Sequence, residues 1–109
     1  MAYHEVLAGR IREHLTGKTG LAEKKMFGGL AFMWQGNMLC GVDASNLMVR
    51  VGPEKYEEAL AHPHAREMDL SGRPMKGWVL VDVAGVDSEA ALGQWLDMAT
   101  TFVSTLPAK

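Results

Sequence analysis

Near the start of the chain, Tyr3, Val6, Leu7, Ile11 and Leu15 recur at helical spacing, with Glu5, Arg12 and Glu13 on the opposite side. The spacing predicts a helix over residues 3–15, and Gly17 supplies a stop. Residues 16–23 hold two glycines, two threonines and a lysine without periodicity, so they read as a connector. Apolar and aromatic runs then cover residues 27–34 and 38–42, separated by Gln35, Gly36 and Asn37, which is the patterning of a hairpin. Residues 43–46 form a second polar turn. After it Leu47, Val49 and Val51 alternate with Met48 and Arg50, the period of a half-exposed strand.

Pro53 suits the first position of a helix and Glu54 and Glu57 suit its positive end, so residues 53–61 read as a short helix packing Tyr56 and Leu60 inward. His62-Pro63 ends it. Residues 67–70 read as a short strand, 71–74 as a turn and 78–83 as a stronger strand with Val79, Val81 and Val83 on one face. Asp87 or Ser88 then caps a final helix whose Leu92, Trp95, Leu96, Ala99, Phe102, Val103 and Leu106 form one apolar stripe. The order α-β-β-β-α-β-β-α with hairpin-length links predicts an α+β fold. Its form is a two-layer sandwich, an antiparallel sheet of about five strands with helices packed on it.

Composition narrows the class. A chain of 109 residues makes one domain, and 48% hydrophobic with 22% charged residues is enough to order it. The net charge of −2 and pI near 6.0 exclude a global positive field for nucleic acid, so any such contact needs a local basic patch. The single cysteine, Cys40, excludes an internal disulfide and fits a reducing compartment. The N-terminal ten residues lack the pattern of a secretory signal, and no run approaches the roughly 20 apolar residues of a membrane helix. The expectation is a cytoplasmic protein.

Two segments carry a resemblance. Lys24-Lys25-Met26-Phe27-Gly28-Gly29-Leu30-Ala31-Phe32 and Arg73-Pro74-Met75-Lys76-Gly77-Trp78-Val79, with Gly36-Asn37 as a turn between them, resemble the N-terminal domain of the TfoX/Sxy family. The likeness covers roughly residues 3–106. It implies a two-layer α+β domain associated with regulation of natural competence. Full-length family members carry a second, C-terminal domain, and since this chain stops at Lys109 a stand-alone N-terminal domain is expected. The resemblance supplies no catalytic residues and no cofactor.

The residues themselves offer modest chemistry. Lys24 and Lys25 precede Gly28 and Gly29, which let another backbone or an anionic ligand approach closely, as an anion or RNA contact or simply to make room for a packed helix. Arg73, Lys76 and Trp78 mix cations with an aromatic ring, as nucleic-acid contacts do, although Trp78 also opens an apolar strand and suits a core. If Lys24, Lys25, Arg73 and Lys76 converge, they make a salt-sensitive patch for nucleic acid. His62 and His64 around Pro63, with Glu67 or Asp69, have the look of a metal site only if brought together, and solvent-facing histidines after a helix are the commoner case. Cys40 sits in an apolar run, where a thiol is inert. No G-x-S-x-G or other catalytic spacing occurs.

Eight methionines mostly fill core gaps. Met48 beside Arg50 and Met75 beside Lys76 also suit an adaptable apolar surface. The leading expectation is a non-enzymatic regulatory module that binds protein, a second copy of itself included, through the outer sheet face and its edge. Met48, Arg50, Met75 and Lys76 mark that surface, and Lys24, Lys25, Arg73 and Trp78 complete the candidate set. A nucleic-acid-contacting module is the alternative. No metal or cofactor is expected.

Overall fold

Helix α1 spans Glu5–His14 and turns Leu7, Ala8 and Ile11 inward. Its acidic first turn and basic last turn complement the helix dipole. The computed structural model describes residues 5–26, 29–43, 46–68 and 76–107. Within them follow β1 (Leu21–Met26), β2 (Gly29–Trp34), β3 (Asn37–Asp43), β4 (Asn46–Arg50), α2 (Tyr56–Leu60), β5 (Ala65–Glu67), β6 (Trp78–Val81), a 3-10 turn (Val83–Val86) and α3 (Glu89–Val103).

Strand β1 is absent from the sequence reading, which ends a connector at Glu23. The segment Leu21-Ala22-Glu23-Lys24-Lys25-Met26 has no apolar alternation, yet it pairs residue for residue with β2, from Leu21 opposite Trp34 to Met26 opposite Gly29. It is an edge strand. Exposed Glu23, Lys24 and Lys25 set charge along that edge, a composition that disfavours edge-to-edge pairing. The Arg12 guanidinium of α1 grips Glu23 through two bonds of 2.5 and 2.7 Å, fastening helix to edge.

Between β2 and β3 the turn is Gln35-Gly36, with φ of 53° and 84°, the sign pattern of a type I′ hairpin. Asn37, expected in the turn, instead begins β3. Its buried side chain donates a 2.9 Å bond to the Pro107 carbonyl and so holds the segment after α3 against the sheet. Register slips between Phe32 and Met33, which face Cys40 and Met38, so Leu39 is the extra residue of a bulge. Leu39 and Cys40 both join the core.

The six strands pair antiparallel throughout in the order β1-β2-β3-β4-β6-β5. The expected five become six through β1. Strand β5 lies two residues earlier than the expected 67–70, and the turn expected at 71–74 lies outside the described residues. Pro53 to Lys55 form a turn, so α2 is shorter than expected. Ser88 caps α3, its Oγ accepting from the Ala91 amide at 3.1 Å.

One core unites both layers. Leu30, Phe32, Cys40, Val42, Leu47, Val49, Val79 and Val81 on one sheet face meet Leu7 and Ile11 of α1, Tyr56 and Ala59 of α2 and Leu92, Trp95, Leu96, Ala99 and Val103 of α3. Each such Leu or Val side chain stabilises by about 1.5–3 kcal/mol relative to exposure. Val79 and Val81 are fully buried in the same core as the apolar stripe of the last helix, with α2 the helix packed on β6, whereas Val83 lies in the 3-10 turn and is exposed.

Candidate functional site

Met48 and Arg50 lie on the sheet face turned away from the helices, opposite Leu80 and Trp78 of β6. Met48 is not an exposed contact, as the sequence suggests; it is 1% exposed. Gly41, directly across on β3, has no side chain, and the methyls of Met48 and Met38 come within 2.7 and 3.2 Å of where its Cβ would stand. Met48 therefore fills the volume that Gly41 leaves. Met33, Met38, Trp78 and Leu80 remain half-buried on the same face.

Arg50 is half-buried as well. Its guanidinium donates to the Met38 carbonyl at 3.4 Å and lies 5.7 Å from the Trp78 ring centroid and 5.6 Å from that of Phe102. Trp78 is thus neither core nor a bare stacking platform; it stacks on a cation of its own chain. Lys76 is exposed, and Arg73 and Met75 lie outside the described residues.

Among the described residues, Lys24 and Lys25 do not gather with Lys76. Lys24 and Lys25 are exposed on β1, whereas Lys76 precedes β6, four places away in the sheet order. At about 4.8 Å per strand the separation is roughly 19 Å. Alternation also sends Lys24 and Lys25 to opposite faces. Gly29 has a structural explanation, since a Cβ there would stand 2.2 Å from the Val42 carbonyl oxygen. The neighbour that needs the space is the backbone of β3, the other-backbone approach read from sequence, and not a packed helix. Gly28 lies outside the described residues.

A second surface escapes the sequence reading. Residues 51–62 and the outer side of α3 enclose a groove of ≈ 730 Å³, with Val51, Pro53, Trp95, Met98 and Phe102 as apolar lining and Glu54, Glu58 and Asp97 among its polar groups. Trp95 forms the floor at 5% exposure. His62 leans over it, ring centroids 4.9 Å apart and planes at 59°. The charged groups stand out in solvent: Lys55 Nζ reaches Glu58 at 3.4 Å, and Asp97 meets His14 of α1 at 3.4 Å. Gly93 gives His14 room to lie against α3, since a Cβ there would come within 3.2 Å of the ring.

Comparison with known protein families matches residues 13–103 to the TfoX N-terminal domain. The chain belongs to the TfoX N-terminal domain family. The resemblance read from Lys24 to Phe32 and from Arg73 to Val79 therefore holds, and the matched span runs from the end of α1 to the end of α3. Nothing among curated proteins or solved structures matches the chain. At family level this TfoX N-terminal domain is a small regulatory or interaction module.

Chemistry within the TfoX domain is sparse where it can be described. Burial pushes the Cys40 thiol far up, which removes the thiolate a nucleophile requires. Among the described residues no three His, Cys, Asp or Glu side chains are placed to hold a metal ion, and no helix is long and apolar enough to cross a membrane. Sequence reasoning assigned Trp95 and Phe102 to the core stripe, and the core does take Trp95. The missed signal is Met98 beside them, which widens the stripe past what one sheet face covers.

Proposed function

We propose that this TfoX N-terminal domain is a cytoplasmic, non-enzymatic regulatory module that seats a segment of a protein partner in the groove between residues 51–62 and α3. The groove carries the reading. A concave surface of ≈ 730 Å³ with an aromatic floor and a few polar groups at its margin is the form that binding sites take. Coupling of that contact to competence or transcription accords with the family. A second reading keeps the outer sheet face, where half-buried Met33, Met38, Trp78 and Leu80 offer an adaptable apolar surface for protein. The nucleic-acid alternative draws less support, because Lys24 and Lys25 stand apart from Lys76.

A photo-cross-linking residue placed at Thr101 in the groove, at Met33 on the outer face or at Lys24 on the edge separates these readings in cells expressing the full chain. The partner identified from the Thr101 adduct is then purified and rebound. Capture at Thr101, with rebinding lost on Met98→Asp, is the expected result. Capture at Met33 alone moves the function to the outer face and overturns the groove.

A further inference from the structure

The geometry points to a basic, amphipathic helical segment of a partner protein as the occupant of the α2–α3 groove. This deepens the proposed function and rests on the groove being the site. Three features of the groove set the chemistry of what fits it.

The first is charge. Glu54 and Glu58 on one wall and Asp97 on the other are exposed carboxylates, and Lys55 is the single lysine or arginine of the lining. Lys55 is itself drawn to Glu58. An incoming cationic face therefore meets an acidic margin on both sides of an apolar floor, and an anionic face is repelled by it.

The second is the backbone of the walls. One wall is α3 and the other is the turn at Pro53 leading into α2, while β1 and β5, the edges of the sheet, contribute nothing to the lining. Among the described residues no strand edge borders the groove for an extended peptide to pair with, so its amides and carbonyls would face an apolar floor unpaired. A helix satisfies its own backbone and avoids that cost.

The third is length. Gln94, Met98, Thr101 and Thr105 line the groove at spacings of four, three and four residues, a single stripe along α3 and the segment after it. At 1.5 Å per residue the stripe runs about 16 Å, which matches about three turns of a docked helix. Apolar anchors spaced by three and four residues would meet Trp95, Met98 and Phe102, leaving Lys or Arg of the segment over Glu54, Glu58 and Asp97.

Three synthetic 14-residue peptides test the inference. All share one Leu face, and their polar faces carry Lys, Gln or Glu. Titration of each into the isotope-labelled full chain, followed by amide chemical shifts, reports both affinity and location. The Lys peptide is expected to shift α2 and α3 amides and to bind at least tenfold tighter than the Glu peptide. Its affinity should fall severalfold between low and high salt. The exposed triple variant Glu54→Gln, Glu58→Gln, Asp97→Asn should erase the preference while the Gln peptide binds it as before.

Equal binding of all three peptides in the groove overturns the cationic partner and leaves the groove as the site. Shifts confined to the outer sheet face, around Met33 and Leu80, overturn the groove reading itself. Absence of binding by every peptide up to millimolar concentration overturns the helical occupant, whatever the cross-link at Thr101 yields. Tighter binding of the Lys peptide that survives the triple variant also overturns the assignment to these carboxylates.

Discussion

Phe102 lies so close over Gly52 that a Cβ on Gly52 would stand 2.4 Å from Phe102 Cδ1, and Gly52 itself holds φ +88°. The contact adjoins the groove, whose lining includes Val51, Pro53 and Phe102. It depends on how β4 ends, because the amides of Val51 and Gly52 both donate to the Gly77 carbonyl, at 2.8 and 3.0 Å. Gly77 also has positive φ, and a Cβ on it would approach Gly52 C to 3.4 Å. Two glycines back to back therefore let the chain leave the sheet, admit the Phe102 ring and bring Arg50 between that ring and Trp78.

Replacing Gly52 by alanine should accordingly destabilise the fold by about 2–4 kcal/mol, combining left-handed backbone strain with overpacking against an aromatic ring. Urea denaturation measures the loss. In the double variant with Phe102→Ala, the steric part should vanish, so the two substitutions should cost less together than the sum of each alone by about 1 kcal/mol or more. Strict additivity would show that the ring does not rest on Gly52.

Gly9 and Gly29 make an opposed pair. Gly9 lies inside α1 with nothing within 4 Å of a Cβ, whereas a Cβ on Gly29 would stand 2.2 Å from the Val42 oxygen and 3.2 Å from its carbonyl carbon. Gly9→Ala should raise stability by about 0.5–1 kcal/mol through helix propensity alone. Gly29→Ala should cost more than about 2 kcal/mol, since backbone and not a pliable side chain must move. Thermal denaturation of both variants reads the two signs, and a loss at Gly9 or a neutral result at Gly29 would contradict the packing described.

These same residues show what a sequence makes legible. Leu92, Leu96, Ala99 and Val103 announce α3 because one helix face is wholly buried, and Val79 and Val81 announce β6 because alternation survives where only one face is core. Leu21 to Met26 stayed hidden because an edge strand needs only a neighbour's ladder, and its charges serve the edge and not the core. Asn37 looked like a turn residue because its distant partner, Pro107, is 70 positions away. The groove was illegible for the same reason: its walls, residues 51–62 and 94–105, meet only in the folded chain. Met48 shares a face with Arg50 as its spacing says, but its burial depends on Gly41 across the ladder.

Cys40 is fully buried between strands β2 and β4, and burial holds its thiol in the protonated form well above the working range of a nucleophile. The folded chain should therefore resist thiol reagents at pH 8, with labelling at least a hundredfold slower than in denaturant. Cys40→Ser should cost about 1–3 kcal/mol, because a hydroxyl at that position is desolvated among aliphatic groups. Rapid labelling of the native chain would mean that β3 opens or that the thiol is not in the core.

Acid should loosen the edge of the sheet through Glu23. Its hydrogen bonds from the Arg12 guanidinium hold the carboxyl below its ordinary value of 4.5, against an opposing push from partial burial. A carboxyl whose folded value lies below its unfolded one adds stability that is present above about pH 4.5 and is lost as pH falls through the folded value. Both side chains keep substantial exposure, 52% for Arg12 and 32% for Glu23, so the pair contributes at most about 1 kcal/mol after solvent screening. Glu23→Gln should be less stable than the parent chain by that amount or less at pH 7, and the difference should be smaller at pH 3. Denaturant melts at the two pH values measure it, and a gap that does not change with pH would show that Arg12 does not hold β1 through this charge.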